Sequence, residues 1–253
     1  MELPDFVRNH DRREATLTVV NRDEAAPVYG MLKDLFADQS IEVHETRPEA
    51  GPSDAVVLER GDGHNGFAVS SLLDLRDTVL TVNSDIYTTG LRGLEEVDTP
   101  EVLSRLDEIP FRVTGYPDES QEKLLLIEIS RHIEGLAWQT GGGTVRSGFQ
   151  FLSRLDDERG TRWIYRRLGT ETDVETHVYG VPDALPSVPG VVCHGEERRE
   201  LRRTWFVVYR SERPEGDDAA LVAYQTDRNT WEGYWSYDSS HVLEIDRYLD
   251  QAY

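Results

Sequence analysis

The stretch Thr204–Tyr237, TWFVVYRSERPEGDDAALVAYQTDRNTWEGYWSY, gives the clearest indication of the fold of the C-terminal half. It contains three runs rich in β-branched and aromatic residues: Thr204–Tyr209, Ala219–Gln225 and Trp231–Ser236. An acidic loop separates the first two runs, and a loop of hairpin length separates the last two. Runs of this composition between turn-forming residues predict successive β-strands, the last two joined as a hairpin.

A helix is predicted directly after this stretch. Asp238 or Ser239 supplies the side-chain oxygen that the free backbone N–H groups of a helix start require. The apolar residues that follow recur at helical spacing and share one face: Val242, Ile245 and Leu249. This segment is therefore predicted to be an amphipathic helix with one buried side.

Two further helices are predicted upstream. A long amphipathic helix begins near residues 118–120 and runs to Trp138, and its apolar stripe consists of Leu126, Ile129, Ile133, Leu136 and Ala137. A second helix lies near Thr161–Leu168, and Gly169 is predicted as the C′ residue that ends it. The glycine run Gly141–Gly143 stands between the two helices.

Shorter elements fill the region between these helices and the opening stretch. Glu175–Tyr179 and Gly190–Cys193 are predicted as strands, with a proline-rich loop between them. Arg198–Arg203 is predicted as a short helix or connector.

Strand and helix patterns alternate in the N-terminal part. The strand-like segments are Ala15–Val20, Ile41–Thr46, Ala55–Leu58 and Phe67–Val69. Asp23–Phe36 has helical periodicity, and Thr99 before Pro100 predicts the N-cap and N1 of a short helix through Leu106. A turn is expected at Gly61, Gly63 and Gly66.

We therefore predict an α/β protein with mixed β-sheets flanked by helices. Its N-terminal α/β region spans residues 1–117 and its C-terminal α/β domain spans residues 118–253.

The charge of the chain is strongly negative and poor in lysine. Asp and Glu total 48 against 27 Lys and Arg, for a net charge of −21, and Lys33 and Lys123 are the only lysines. Mutual repulsion of so many carboxylates is screened at molar salt, where the Debye length falls to about 3 Å. The composition therefore predicts a protein adapted to very high salt, and the lack of an apolar signal-peptide core in residues 1–11 predicts a cytoplasmic one. The acidic composition disfavours direct nucleic-acid binding, which depends on a basic surface, and the sequence offers no apolar run long enough for a membrane span.

The glycine run is the first place to look for a phosphate-binding loop. Such a loop follows a strand and opens a helix, so that backbone N–H groups face the anion. Here a helix precedes the glycines, which favours a helix cap and turn. The alternative is an enzyme acting on a nucleotide or other phosphorylated metabolite, with Gly141–Gly143 and Arg146 holding phosphate.

Catalytic and metal motifs are not evident in the sequence. The seven histidines show no i, i+4 pair, and no Cys-x-x-Cys spacing accompanies them because Cys193 is the only cysteine. We expect no catalytic residues, no metal and no cofactor. Each histidine is predicted to have a packing or surface role.

The aromatic residues of the last strand fall on one face because side chains alternate along a strand. Trp231, Gly233, Trp235 and Tyr237 share that face, and Tyr234 points to the other. Trp205, Val207 and Tyr209 can face them from a neighbouring strand. An aromatic face of this kind is most often core, and the alternative is the wall of a pocket for a planar ligand.

The C-terminal half resembles a known family in the order of several segments. These are LLLIEISRHIEGLAWQTGGGTVRSGFQFLSRL (Leu124–Leu155), HVYG (His177–Gly180) with its proline loop, TWFVVY (Thr204–Tyr209), ALVAYQ (Ala220–Gln225) and WEGYWSYD (Trp231–Asp238). Together they resemble the DICT sensory domain over roughly residues 118–253, and the chain looks like stand-alone members from halophilic archaea.

The resemblance implies a signal-input role. Members of the family accompany cyclic-dinucleotide enzymes, histidine kinases and other regulators, so a sensory module without an output domain is expected to act through another regulatory protein. The resemblance implies no catalytic residues. Distinctive residues in the matching segments are candidates for a small-ligand pocket: Trp138, Gly142, Phe149, Gln150, His177, Tyr179, Trp205 and Trp235. A third possibility is a homodimer or scaffold formed through the long helix or a sheet edge.

Overall fold

The computed structural model describes residues 2–10, 14–23, 26–37, 39–61, 67–78, 99–114, 121–157, 159–213 and 217–253. The protein is α/β, with one four-stranded and one seven-stranded mixed sheet flanked by helices. This confirms the fold class predicted from the sequence.

The smaller sheet is built from the N-terminal part of the chain. Its strands are β1 (Ala15–Val20), β2 (Ile41–Thr46), β3 (Ala55–Arg60) and β4 (Phe67–Ser71), in the order β2-β1-β3-β4. β1 pairs parallel with β2 and antiparallel with β3. All four strands lie where the sequence predicts them, whereas most of the turn predicted at Gly61, Gly63 and Gly66 falls outside the described residues.

The larger sheet contains the three strands predicted in Thr204–Tyr237 as consecutive neighbours. Its strands are β5 (Phe111–Thr114), β6 (Gly142–Phe151), β7 (Asp173–Val181), β8 (Val191–Gly195), β9 (Thr204–Arg210), β10 (Ala219–Asp227) and β11 (Thr230–Ser236). Their order is β5-β11-β10-β9-β6-β7-β8. β6, β7 and β8 run parallel to one another, and the remaining neighbours are antiparallel.

Helices cover both faces of the larger sheet. The helices are α1 (Leu3–Arg8), α2 (Ala26–Phe36), α3 (residues 72–78), α4 (Glu101–Ser104), α5 (Gln121–Thr140), α6 (Arg154–Asp157), α7 (Arg159–Glu171) and α8 (Ser239–Ala252), with a 3₁₀ turn at Leu201–Arg203. Asp238 caps α8 as predicted, because its carboxylate accepts from the backbone N–H groups of Ser240 and His241. None of the helices in the described part of the chain combines the length and apolar composition that a membrane span requires.

The predicted bounds of two helices are wrong. α7 continues through Gly169 to Glu171, so Gly169 is an interior residue and does not end the helix. A Cβ at Gly169 would lie 2.1 Å from the carbonyl oxygen of Gly190, which shows that the glycine permits close contact between α7 and the start of β8. Pro100 is the N-cap of α4 rather than N1, and the helix ends at Ser104 before Leu106.

The larger sheet separates two apolar clusters. One face carries Val145, Val178, Val207, Leu221 and Trp235, which pack with α5, α7 and the smaller sheet in the main core. The opposite face carries a second cluster that contains residues of both α1 and α8. β5 thus belongs to the larger sheet and α1 packs on it, although both precede residue 118. The division into residues 1–117 and 118–253 stays a prediction.

Candidate functional site

The eight residues proposed from the sequence do not converge on one pocket. Trp205 and Trp235 are 7% and 1% exposed and lie in the main core. With Trp231, which is also buried, they fill that face of the sheet with protein side chains. Tyr234 lies in the opposite cluster, as strand alternation predicts.

Three candidates have structural contacts around α7 and β6. Trp138 is half-buried beneath the Arg167 guanidinium, whose carbon lies 4.3 Å from the ring centroid. Phe149 packs edge-on against Tyr165. Gln150 has φ +65° at the irregularity of β6, and its buried amide donates a 2.8 Å hydrogen bond to the carbonyl of Thr204.

The glycine run joins a helix to a strand. Gly141 has φ +72° and its N–H donates to the carbonyl of Ala137, which is the geometry of a helix C′ residue. Gly142 begins β6, and a Cβ there would meet no atom of the described residues within 4 Å. At Gly143, a Cβ would lie 2.2 Å from the carbonyl oxygen of Arg210, so this glycine allows two strands to approach. The run faces the carbonyl end of α5, where the helix dipole disfavours an anion.

His177 and Tyr179 are the two candidates that lie together. They alternate along β7, and the registers of β6, β7 and β8 place Arg146 and His194 beside them on the face covered by α8. We call the group of Arg146, His177, Tyr179, His194, Asp246 and Asp250 the α8 site.

Arg146 connects the sheet to α8. Its Nε donates to Asp246 Oδ1 at 2.8 Å, and its Nη2 donates to Asp250 Oδ1 at 3.0 Å. Nη1 donates to the Tyr179 hydroxyl at 2.7 Å. The Arg146 side chain is only 13% exposed, whereas the side chains of Asp246 and Asp250 are 19% and 68% exposed. The guanidinium therefore has one sheltered carboxylate partner and one solvent-facing partner, spaced one turn apart on α8.

A stacked aromatic group lies next to this guanidinium. His177 Nδ1 and His194 Nε2 are 2.9 Å apart, within hydrogen-bonding distance, and the Tyr179 ring stacks on His194 with centroids 4.5 Å apart. Burial and the charge of Arg146 lower the pKa of both histidines. Burial raises the pKa of the Tyr179 hydroxyl. At neutral pH these three side chains are uncharged, and the α8 site holds one cation and two carboxylates.

Glu200 forms a second group of contacts to α8, beyond the α8 site. We call it the Glu200 anchor. The Glu200 carboxylate accepts from the backbone N–H of Leu3 at 2.5 Å, from the Tyr248 hydroxyl at 2.8 Å and from the Tyr253 hydroxyl at 2.6 Å. The Arg198 guanidinium lies over the ring of Tyr253. Burial and the Glu200 carboxylate raise the pKa of both tyrosines. Glu200 therefore ties the start of α1 and the end of α8 to the same point.

Three side chains of types that can bind a metal ion lie close together elsewhere on the face covered by α8. His10, Glu108 and His241 offer ligand atoms within 4.8 Å of one another. The sequence shows no metal spacing because the three residues come from distant segments.

Sequence reasoning missed most residues of these sites. Asp246 and Asp250 recur at one-turn spacing beside the apolar stripe of α8, a signal that could have placed them near the sheet. Glu200 offers no such signal, because its partners lie 48 residues or more away in sequence.

Comparisons with known proteins assign no family. No protein-family model matches the chain, and a search of curated proteins finds no match. Among solved structures, the chain is similar to the crystal structure of polyphosphate kinase from Porphyromonas gingivalis, with 8% identity and a TM-score of 0.35 over 98% of this chain. The chain spans about half the length of that protein, since 47% of the kinase chain is covered. A likeness this low supports no conclusion about function.

Proposed function

We propose that this protein is a non-catalytic regulatory module that senses a small ligand or partner and acts through another protein. The resemblance of residues 118–253 to DICT sensory domains supports this proposal. The observation that carries it is the contact of Arg146 with Asp246 and Asp250, because it couples the central sheet to a peripheral helix.

The two ion pairs differ in how readily they can be exchanged. Asp250 faces solvent, and exposed ion pairs contribute only about 0–1 kcal/mol. Asp246 is more sheltered, and α8 is further held by the buried side chains of Val242, Ile245 and Leu249. The Asp250 side chain is therefore the part of this contact that a modest binding energy can displace, while Leu249 and the Glu200 contacts keep the end of α8 on the sheet.

The chemistry of the α8 site favours an anionic ligand. A carboxylate or phosphate can replace Asp250 at Arg146 and keep the guanidinium paired. His177 and His194 lie beside Arg146 in the strand registers, and their neutral pair keeps one N–H that is not used between the two rings and can donate to such a ligand. Displacement of Asp250 then changes the surface formed by the last turn of α8, which is the surface available to a regulatory partner.

Native mass spectrometry tests this proposal. Untagged protein is purified in molar KCl and exchanged into molar ammonium acetate. The matched variants are Arg146→Gln, which removes the cation of the α8 site, and Arg47→Gln, which removes an exposed ion pair with Glu45 in the smaller sheet.

We expect wild type and Arg47→Gln to carry a co-purifying small molecule or protein partner, and Arg146→Gln to lose it. Bare chain in all three preparations, together with empty pull-downs from the same lysate, would contradict the proposal. Retention of the same molecule by Arg146→Gln would place ligand binding elsewhere.

A further inference from the structure

We propose that His10, Glu108 and His241 form a binding site for one divalent transition-metal ion, with zinc(II) as the best chemical match. Two imidazoles and one carboxylate are a donor set that zinc accepts in proteins. Manganese, iron and cobalt also bind such sets, whereas calcium and magnesium prefer oxygen ligands. The inference does not depend on the proposed regulatory function.

The three ligands are brought together by three separate segments. His10 follows α1, Glu108 precedes β5, and His241 lies in the first turn of α8. The backbone N–H of Glu108 donates to the carbonyl of Trp235 at 2.8 Å, which fixes this loop against β11. The His10 ring stacks on Tyr234 of β11, with centroids 4.0 Å apart and planes 7° from parallel.

Contacts to Tyr234 orient the second imidazole as well. His241 Nε2 lies 3.0 Å from the Tyr234 hydroxyl, and the two rings stack at 5.4 Å. A metal-bound histidine usually has its other ring nitrogen held by an oxygen, which sets the ring orientation. Tyr234 can supply that oxygen if His241 binds the ion through Nδ1.

The spacing of the donor atoms suits a site that contracts slightly when it is occupied. His10 Nε2 lies 3.2 Å from Glu108 Oε2, and all three donors lie within 4.8 Å of one another. Zinc bonds of about 2.0–2.2 Å in a tetrahedron place neighbouring ligand atoms about 3.4 Å apart. The His10 and Glu108 pair already has this spacing, and the His241 donor lies within 4.8 Å of both.

An unsatisfied carboxylate oxygen independently points to a ligand. Glu108 is 8% exposed, and its Oε1 is buried without a hydrogen-bond partner among the described residues. An unpaired carboxylate oxygen in a sheltered place is costly, and a bound cation removes that cost. The alternative is a structural His10–Glu108 contact, in which His10 Nε2 lies 3.0 Å from the Glu108 carbonyl oxygen and His241 only packs against Tyr234. That arrangement leaves Oε1 unpaired.

Cobalt(II) titration tests the site directly. Untagged protein is stripped with EDTA and titrated with CoCl₂ in molar KCl, where nonspecific attraction to the acidic surface is screened. We expect a visible cobalt absorption band that saturates at one equivalent and disappears when zinc is added. Glu108→Gln and His241→Gln should each weaken binding by more than the roughly 10-fold to 100-fold cost of losing an outer-shell partner.

His44→Gln is the matched control, because His44 is exposed on β2 and contacts Glu42 outside the proposed metal site. It should bind cobalt as wild type does. Absence of saturable binding in wild type, or loss of binding in His44→Gln with retention in His241→Gln, would overturn the site. Should a ligand variant fail to fold, X-ray absorption of the wild-type zinc complex decides the question: coordination by two imidazole nitrogens supports the site, and coordination by oxygen alone refutes it.

Discussion

Replacement of Glu200 by glutamine is expected to lower the free energy of unfolding by about 2–4 kcal/mol. The Glu200 carboxylate accepts from three donors: the N–H of Leu3 and the hydroxyls of Tyr248 and Tyr253. Hydrogen bonds to a charged group contribute about 1.5–3 kcal/mol each, and bonds between neutral groups about 0.5–1.5 kcal/mol. Glutamine keeps one acceptor oxygen but presents an N–H₂ donor where the other oxygen stood, so the remaining bonds become weaker and one is lost.

Urea unfolding at constant molar KCl measures this change. Glu197→Gln is the matched control, because Glu197 is exposed and its replacement removes the same charge within the same segment. Its effect should stay within about 0.5 kcal/mol, as for other surface substitutions. A double-mutant cycle of Glu200→Gln with Tyr253→Phe should show a coupling energy, since the two side chains contact each other directly.

Two further measurements distinguish this anchor from a general loss of stability. The pKa of Tyr248 and Tyr253 is raised by burial and by Glu200, so Glu200→Gln should shift their ultraviolet titration to lower pH. Amide exchange should accelerate at Leu3 and in the last turn of α8. Equal stabilities of Glu200→Gln and Glu197→Gln, or a zero coupling energy with Tyr253→Phe, would refute the anchor.

Three other predictions follow from the structure and the composition. Burial lowers the pKa of His177 and His194 below 6.5. As the pH falls, these histidines therefore take up protons in the unfolded state before they do so in the folded state. The stability that they contribute is present above about pH 6.5 and is lost as the pH falls further. The double variant His177→Gln/His194→Gln should flatten the dependence of the urea midpoint on pH in this range; an unchanged slope would contradict the prediction. Gly169→Ala should destabilise the protein by about 1–3 kcal/mol, because its Cβ would meet the backbone of Gly190 at 2.1 Å. Gly30→Ala in α2 should be neutral or stabilising by up to about 1 kcal/mol, because its Cβ would meet no atom of the described part of the chain within 4 Å. Thermal melts compare the two variants, and equal effects would show that the close contact is relieved at no cost. Lowering KCl from molar to about 0.1 M should unfold the protein partly or fully by circular dichroism, because the screening length grows to about 10 Å and the net charge of −21 repels itself; a flat titration would argue against salt adaptation.

Regular elements were predictable wherever the sequence has a strong period. The strands of Thr204–Tyr237 and the helix after Asp238 are observed close to their predicted bounds, because alternation, helical spacing and a capping residue are local signals. The end of α7 was mispredicted at Gly169. A glycine late in a helix resembles a C′ residue, and only the close contact with Gly190 explains why a glycine stands inside this helix.

The candidate sites were less predictable than the elements that carry them. Alternation correctly separates Tyr234 from Trp235, but it does not show that Trp205 and Trp235 are covered by α5 and the rest of the main core. The pairing of Arg146 with His177 depends on the parallel register of β6 and β7, which no local signal specifies.

Residue patterns alone predicted the α/β class and the positions of most strands and helices, and the residue counts gave the acidic, lysine-poor charge balance. These features follow from composition and from periods of a few residues. Only the tertiary structure brought Arg146 to Asp246 and Asp250, Glu200 to Leu3 and Tyr253, and His10 to Glu108 and His241. The physical reason is that these contacts join side chains from distant segments, and their distances depend on strand order, register and the docking of α1 and α8 on one face of the larger sheet.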